Sequence, residues 1–339
     1  MENTMIGIIG AGCWGTTLAV LLAEKNMAVS LWDQDKDLIE YLAHTRSHIR
    51  LPGLIIPESV DLTTSLDDTF GTCDYLLIAV PSRAFRSCCW ILKERGIITP
   101  SRKIIIATKG IEPETGMSMS GILEDELGGG YHNRMCVLSG PSHAEEVAAK
   151  KPTVVVVAAY NESFAEAVQE LFITPYFRVY RQTDVIGVET GAAIKNVIAI
   201  AAGICDGLEL GDNAKAALLT RGLAEIIRLG TAMGGRLETY TGLSGIGDLI
   251  VTATSHHSRN RNFGEYLARG LTVDQALERI GMVVEGVTTA VSVMYLAKKY
   301  GVEMPISCGV YAVVYGGASP RELARELMQR SPKPEIYGL

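Results

Sequence analysis

Residues 6–33, IGIIGAGCWGTTLAVLLAEKNMAVSLWD, decide how the amino-terminal half of this chain is read. Ile6, Ile8 and Ile9 form a short apolar run that stops at Gly10. Gly10, Gly12 and Gly15 then spell G-x-G-x-x-G, and residues 17–25 follow with helical periodicity. Asn26 ends that helix, and residues 28–32 are a second apolar run with Asp33 at its tip. Strand, glycine turn, helix and acid-tipped strand are the setting in which such a triplet binds a dinucleotide. Gly10 permits the tight turn, Gly12 lets backbone approach a pyrophosphate, and Gly15 lets helix and strand pack closely. Amides of the first helical turn then face the phosphates, where the helix dipole favours negative charge.

Asp33 bears on which dinucleotide is taken. A carboxylate at this point accepts hydrogen bonds from the adenosine ribose and repels a 2′-phosphate. Residues 34–37 add two acids and no arginine, so NAD is favoured over NADP. The alternative is that Asp33 caps the helix starting near Lys36.

Outside this stretch, apolar runs at 74–81, 103–110, 135–141 and 152–159 each end at a glycine, a proline or an alanine pair, and helical segments separate them. Strands alternating with helices predict a doubly wound, mostly parallel α/β sheet with ligands at the carboxyl ends of its strands. The breaks at Pro81-Ser82, Lys109-Gly110 and Gly140-Pro141-Ser142 fall on that edge. Residues 48–59 read as loop, with a short strand at 60–63. Beyond Thr183 the pattern becomes helical, with segments at 189–207, 215–233, 261–269, 288–300 and 320–329. The expected division is a dinucleotide-binding domain over 1–185, an all-helical domain over 186–330 and a tail over 331–339.

Composition narrows the function classes. A chain of 339 residues with 47% hydrophobic content can build two cores. Its net charge of −7 and lack of a basic run argue against a nucleic-acid partner. Uninterrupted apolar runs such as 197–205 fall short of the ~18 residues expected of a membrane span, and no signal peptide is read at residues 1–5. Seven scattered cysteines without metal-ligand spacing read as free thiols in a cytoplasmic protein, with no metal site.

A dinucleotide domain joined to a helical one suggests hydride transfer, and reducing a carbonyl needs a proton donor. Lys195 is the foremost candidate, because it interrupts the apolar helix GAAIKNVIAIAAG, where a lysine is costly to bury without a partner or a task. Lys109 ends a strand at the ligand edge. In GLSGIGDLIVTATSHHSRNRN, residues 242–262, Asp248 follows three glycines and Ser258, Arg259 and Asn260 are consecutive. An arginine flanked by hydroxyl and amide donors suits a phosphate or carboxylate; Ser258 could equally cap a helix.

These residues together resemble the bacterial-type NAD(P)-dependent glycerol-3-phosphate dehydrogenases. The blocks GAGCWGTTLA, ATKGIEPETG, SGPSHAEEV, the run from GAAIKNV to GLAEIIRLG, GLSGIGDLIVTATSHHSRNRNFG, VVEGVTTA and VEMPI occur in the family's order over nearly the whole chain. The resemblance implies reversible oxidation of sn-glycerol 3-phosphate to dihydroxyacetone phosphate, feeding glycerophospholipid synthesis. It also implies a Rossmann domain, a helical domain of the 6-phosphogluconate dehydrogenase type and a homodimer. By the same resemblance Lys195 exchanges the proton at the substrate C2 oxygen, and Lys109 and Asp248 hold the lysine and substrate hydroxyls. Gly140, Ser142, Ser258, Arg259 and Asn260 contact substrate, with Arg259 and Lys109 also near the cofactor. Cys13, Trp14, Ala144, Val283 and Glu285 fall at cofactor positions. Three residues depart from the family pattern: Cys13 stands for a common serine, His143 for a common phenylalanine and Asp33 for a common small residue. A related β-hydroxyacid dehydrogenase and a non-catalytic NAD-binding sensor are the competing readings.

Overall fold

The computed structural model describes residues 4–66, 68–99, 101–335 and 337. The chain forms two compact units. One comprises the residues through Thr108 together with Met119–Val185, and the other comprises Lys109–Ser118 with the residues from Ile186 onward. Lys109–Ser118, which the sequence reading leaves in the first domain, groups with the helical unit.

The first unit is built on an eight-stranded sheet: β1 (Met5–Ile9), β2 (Ala28–Trp32), β3 (Val60–Thr63), β4 (Tyr75–Ile78), β5 (Lys103–Ile106), β6 (Met135–Ser139), β7 (Thr153–Ala158) and β8 (Phe177–Gln182). Their order is β8-β7-β6-β5-β4-β1-β2-β3. All pairs are parallel except β6–β7, where Val137 lies opposite Ala158. The sheet is therefore the doubly wound, mostly parallel one expected. Its middle strands are buried on both faces, which is why they read as continuous isoleucine and leucine runs.

Edge strand β8 escapes the sequence reading. In FRVYRQ only Phe177 and Val179 turn inward, while Arg178 and Tyr180 are exposed, so there is no apolar run to see. Where residues 48–59 are expected as loop, a hairpin forms in which Ser47–His48 pairs antiparallel with Leu51–Ile55. It packs on the helices Cys13–Ala23 and Ala144–Ala148.

Among the described residues the second unit has no β-strand, only an isolated bridge between Ile111 and Ser118. Its core is organised around the helix Val185–Gly207, apolar almost all round and therefore buried. This helix is long and apolar enough by length and composition to cross a membrane, yet 94% of its most apolar window is buried inside the fold. It crosses the helix Arg259–Ala268 at very short range. A Cβ on Gly203 would fall 1.8 Å from the Arg261 carbonyl oxygen, and one on Gly264 would fall 2.0 Å from that of Ile200. Two glycines thus set the separation of the helices that carry Lys195 and Arg259. The helices Asp248–Thr254, Val273–Ile280 and Pro305–Gly316 lie outside the segments expected from sequence. Towards the carboxyl end, Arg330 and Lys333 pair with Glu303, and Tyr337 stacks beneath the Arg221 and Arg228 guanidiniums.

Candidate active site

In the first unit the glycine turn joins β1 to the helix Cys13–Ala23. Gly10 has φ +106°, a left-handed conformation that favours glycine. A Cβ on Gly15 would lie 1.9 Å from the Gly10 carbonyl oxygen, so helix and turn meet backbone to backbone. Gly12 differs: a Cβ there would find nothing within 4 Å, and no side chain caps the helix that it starts. Trp14 beside it has a buried indole Nε1 without a hydrogen-bond partner among the described residues. An uncapped helix start, open space above Gly12 and a waiting donor fit a dinucleotide pyrophosphate.

Asp33 follows β2 and reaches back to this turn. Its Oδ2 accepts the Ala11 amide at 2.8 Å and its Oδ1 accepts the Asp35 amide at 3.0 Å. The helix Lys36–Thr45 is capped by Asp35, which accepts the Leu38 amide, and not by Asp33. The ribose role given to Asp33 is compatible with this geometry, since each carboxylate oxygen retains a lone pair. Gly140, with φ +133°, and Ser142 lie just beyond the carboxyl end of β6, where the Ser142 hydroxyl donates to the Gly140 carbonyl at 3.1 Å. Ala144 begins the short helix Ala144–Ala148, and its carbonyl lies 3.5 Å from the Thr17 hydroxyl.

The second unit gathers the charged candidates. The turn Leu243–Gly247, kinked at Gly245 where the backbone is not helical (φ −97°, ψ −105°), runs into the helix Asp248–Thr254 and presents Asp248 at its start. Lys195 Nζ donates to Asp248 Oδ1 at 2.9 Å, and Lys109 Nζ donates to Asp248 Oδ2 at 2.8 Å. One carboxylate thus holds two ammonium groups, one per oxygen. Lys195 Nζ also donates to Thr252 Oγ1 at 2.6 Å. Thr252 is a residue that the sequence reading missed. Its signal was the spacing of four from Asp248, which puts both on one helix face.

Lys195 is 5% exposed, and that burial is the main cause of a pKa brought down to about 8. The Asp248 charge opposes the shift, while Lys109 and Arg259 add to it. Burial of Asp248 pushes its own carboxyl up, but Lys109 and then Lys195, by charge and hydrogen bond, outweigh it and hold it below its ordinary range. The product is an anion that stays ionised beside a lysine that titrates near neutrality.

The remaining candidates frame this triad. Ser258 is buried and caps its helix, accepting the Arg261 amide. Arg259, exposed at that helix's first position, donates from Nη1 to the Val283 carbonyl at 2.9 Å. Asn260 donates to Asn196 Oδ1 at 3.0 Å and accepts the Gly286 amide at 2.8 Å, so its side chain braces three elements. Glu285 opens the helix Glu285–Tyr300 next to that brace.

Both halves of the chain match known proteins. Residues 5–165 match the family model described as NAD-dependent glycerol-3-phosphate dehydrogenase N-terminus, and residues 184–325 match the corresponding C-terminus. The chain is 46% identical over 333 residues to the glycerol-3-phosphate dehydrogenase (NAD(P)+) of Prosthecochloris aestuarii, covering 98% of this chain and 100% of that one. It is also 46% identical over 337 residues to that of Listeria monocytogenes, covering 99% of each. Among solved structures, the glycerol-3-phosphate dehydrogenase of Coxiella burnetii superposes with a TM-score of 0.92 at 39% identity, covering 97% of this chain and 99% of that one. With both halves matched by the two models and relatives aligned along nearly its whole length, this chain belongs to the NAD-dependent glycerol-3-phosphate dehydrogenase family.

Proposed function

We propose that this chain interconverts sn-glycerol 3-phosphate and dihydroxyacetone phosphate, with Lys195 exchanging the proton at the C2 oxygen. The observation that carries this reading is the Lys195–Asp248–Lys109 arrangement, in which burial brings a lysine down to about 8 while an ionised partner holds its Nζ in place. A bound nicotinamide supplies or accepts the hydride. In the reducing direction protonated Lys195 donates from Nζ to the C2 oxygen as that carbon is reduced, leaving a neutral amine and a secondary alcohol. Asp248 keeps its charge throughout and holds Nζ in place. Lys109 shares that anchor and adds positive charge where the oxygen becomes anionic.

Gly10, Gly12, Cys13, Trp14 and Gly15 would hold the pyrophosphate, with Ala144, Val283 and Glu285 at further cofactor positions. Gly140, Ser142, Ser258 and Asn260 line or brace the substrate site, and the Arg259 guanidinium meets the substrate phosphate. Asp33 favours NAD over NADP by charge repulsion of a 2′-phosphate. Residues 1–185 form the dinucleotide-binding domain and 186–330 the substrate domain, apart from the 109–118 segment. The resemblance to bacterial enzymes supports a cytoplasmic homodimer that feeds glycerophospholipid synthesis.

Initial rates of dihydroxyacetone phosphate reduction, with NADH and NADPH side by side, test this. Turnover is expected with NADH ahead of NADPH, and Lys195→Ala is expected to cut kcat by about 10²- to 10⁴-fold while NADH still binds. No turnover with either cofactor would overturn the activity. Faster turnover with NADPH would overturn only the role given to Asp33.

A further inference from the structure

The segment Lys109–Ser118 groups with the helical unit, and a buried hydroxyl fastens it there. Ser292 lies within the helix Glu285–Tyr300 and has no exposed surface. Its hydroxyl donates to the Ile111 carbonyl at 2.7 Å. The acceptor that a helical serine usually takes is the carbonyl four residues back, and that of Thr288 lies at 3.5 Å. The distant carbonyl is therefore the stronger acceptor. Ile111 is itself 1% exposed and belongs to the core of the helical unit.

Past Ile111 the segment closes on itself. Ile111 bridges Ser118, the Glu112 amide donates to the Met117 carbonyl at 2.9 Å, and the Gly116 amide donates to the Glu112 carbonyl at 2.9 Å. A Cβ on Gly116, whose φ is +71°, would fall 2.7 Å from Leu296, one turn beyond Ser292 on the same helix. On the other side of Ile111 only Gly110 stands before Lys109, whose Nζ donates to Asp248 Oδ2 at 2.8 Å. The helix is fixed in turn at its start, where the Gly286 amide donates to Asn260 Oδ1 at 2.8 Å. A lysine side chain has many rotamers, so its ammonium keeps one place only where its backbone is held.

We propose that Ser292 is a positioning residue for the reaction: by holding the Ile111 carbonyl it docks the segment Lys109–Ser118 on the helix Glu285–Tyr300 and sets where the Lys109 ammonium meets Asp248. This rests on the active-site reading of Lys109 and adds to it a residue outside the charged cluster.

A double-mutant cycle in the full chain tests the assignment. Single-turnover reduction of dihydroxyacetone phosphate by NADH, with enzyme in excess, is followed in wild type, Ser292→Ala, Lys109→Met and the double variant. Alanine removes the donor and little else, and Ser292→Ala is expected to slow the reaction about three- to tenfold, the net value of one hydrogen bond. In the Lys109→Met background the same substitution should cost less than about twofold, because the group it positions is gone. A loss that only loosened packing would carry over in full, and that outcome overturns the proposal, as does Ser292→Ala reacting at the wild-type rate. Should Ser292→Ala not fold, Ser292→Cys takes its place in the cycle, since its thiol nearly keeps the shape and donates only weakly; the same two outcomes decide. Wild type without turnover, or Lys109→Met as fast as wild type, overturns the active-site reading as well, whereas additive losses overturn this assignment alone.

Discussion

Lys195 Nζ lies 2.9 Å from Asp248 Oδ1, with both side chains buried and Asp248 turning its other oxygen to Lys109. With Lys195 brought down to about 8, the proton donor proposed for the reduction exists below that pH and is lost above it. kcat/KM for dihydroxyacetone phosphate is therefore expected to be level below pH 8 and to fall about tenfold per unit above it. The oxidation of glycerol 3-phosphate needs the neutral amine and should rise through the same pH. Between about 8 and 10.5 the unfolded chain binds this proton more tightly than the folded one, so the lysine's contribution to stability increases with pH there. Paired pH–rate profiles in the two directions check the assignment, and parallel profiles would contradict it.

Replacing Asp248 by asparagine removes the one charge that raises Lys195 and leaves Lys109 and Arg259, which lower it. The alkaline limb of the reduction should move to below pH 8, with kcat reduced at every pH because Nζ loses its anchor. An unmoved limb in Asp248→Asn would mean that another group sets it.

Thr252→Val keeps the shape of the side chain and deletes the oxygen that accepts from Lys195 at 2.6 Å. A hydrogen bond to a charged group contributes about 1.5–3 kcal/mol, so kcat/KM should fall roughly 10- to 100-fold. Thr252→Ser should retain most of the activity, since it keeps that oxygen. Steady-state kinetics of the two variants separate the hydrogen bond from packing.

Gly12 and Gly15 make opposite predictions for the same turn. A Cβ at Gly12 enters open space, whereas one at Gly15 meets the Gly10 carbonyl oxygen at 1.9 Å. Gly12→Val should leave the thermal midpoint of the cofactor-free protein unchanged and weaken NADH by roughly 10- to 100-fold, because the side chain fills the pyrophosphate's place. Gly15→Ala should lower the midpoint itself. Thermal denaturation with and without NADH distinguishes them.

Arg259 is exposed, in contrast to the buried Ser258 and Asn260 on either side of it. Arg259→Leu is expected to raise KM for dihydroxyacetone phosphate at least tenfold, the cost of one charge-assisted pair. Activity on an unphosphorylated hydroxyketone, however low, should not fall with it. Equal losses on both would favour a substrate class without phosphate.

The dinucleotide turn, the buried parallel strands and the lysine in an apolar helix were legible in the sequence, because each is written in neighbouring residues. A glycine spacing, an unbroken isoleucine run and a charge where the helical period demands none are local signals. Edge strand β8 and the hairpin at His48 were not legible, since one alternates with arginines and the other is two residues paired with five. What only the tertiary structure decided is which groups meet. Lys109 and Asp248 are 139 residues apart, Lys195 and Asp248 are 53 apart, and Ala11 and Asp33 are 22 apart. Such pairings are set by how helices and strands pack, as where Gly203 and Gly264 let two backbones touch, and no local period encodes that distance. The sequence determined that a lysine had to be accommodated inside the helical core, and packing decided that an aspartate and a threonine would hold it.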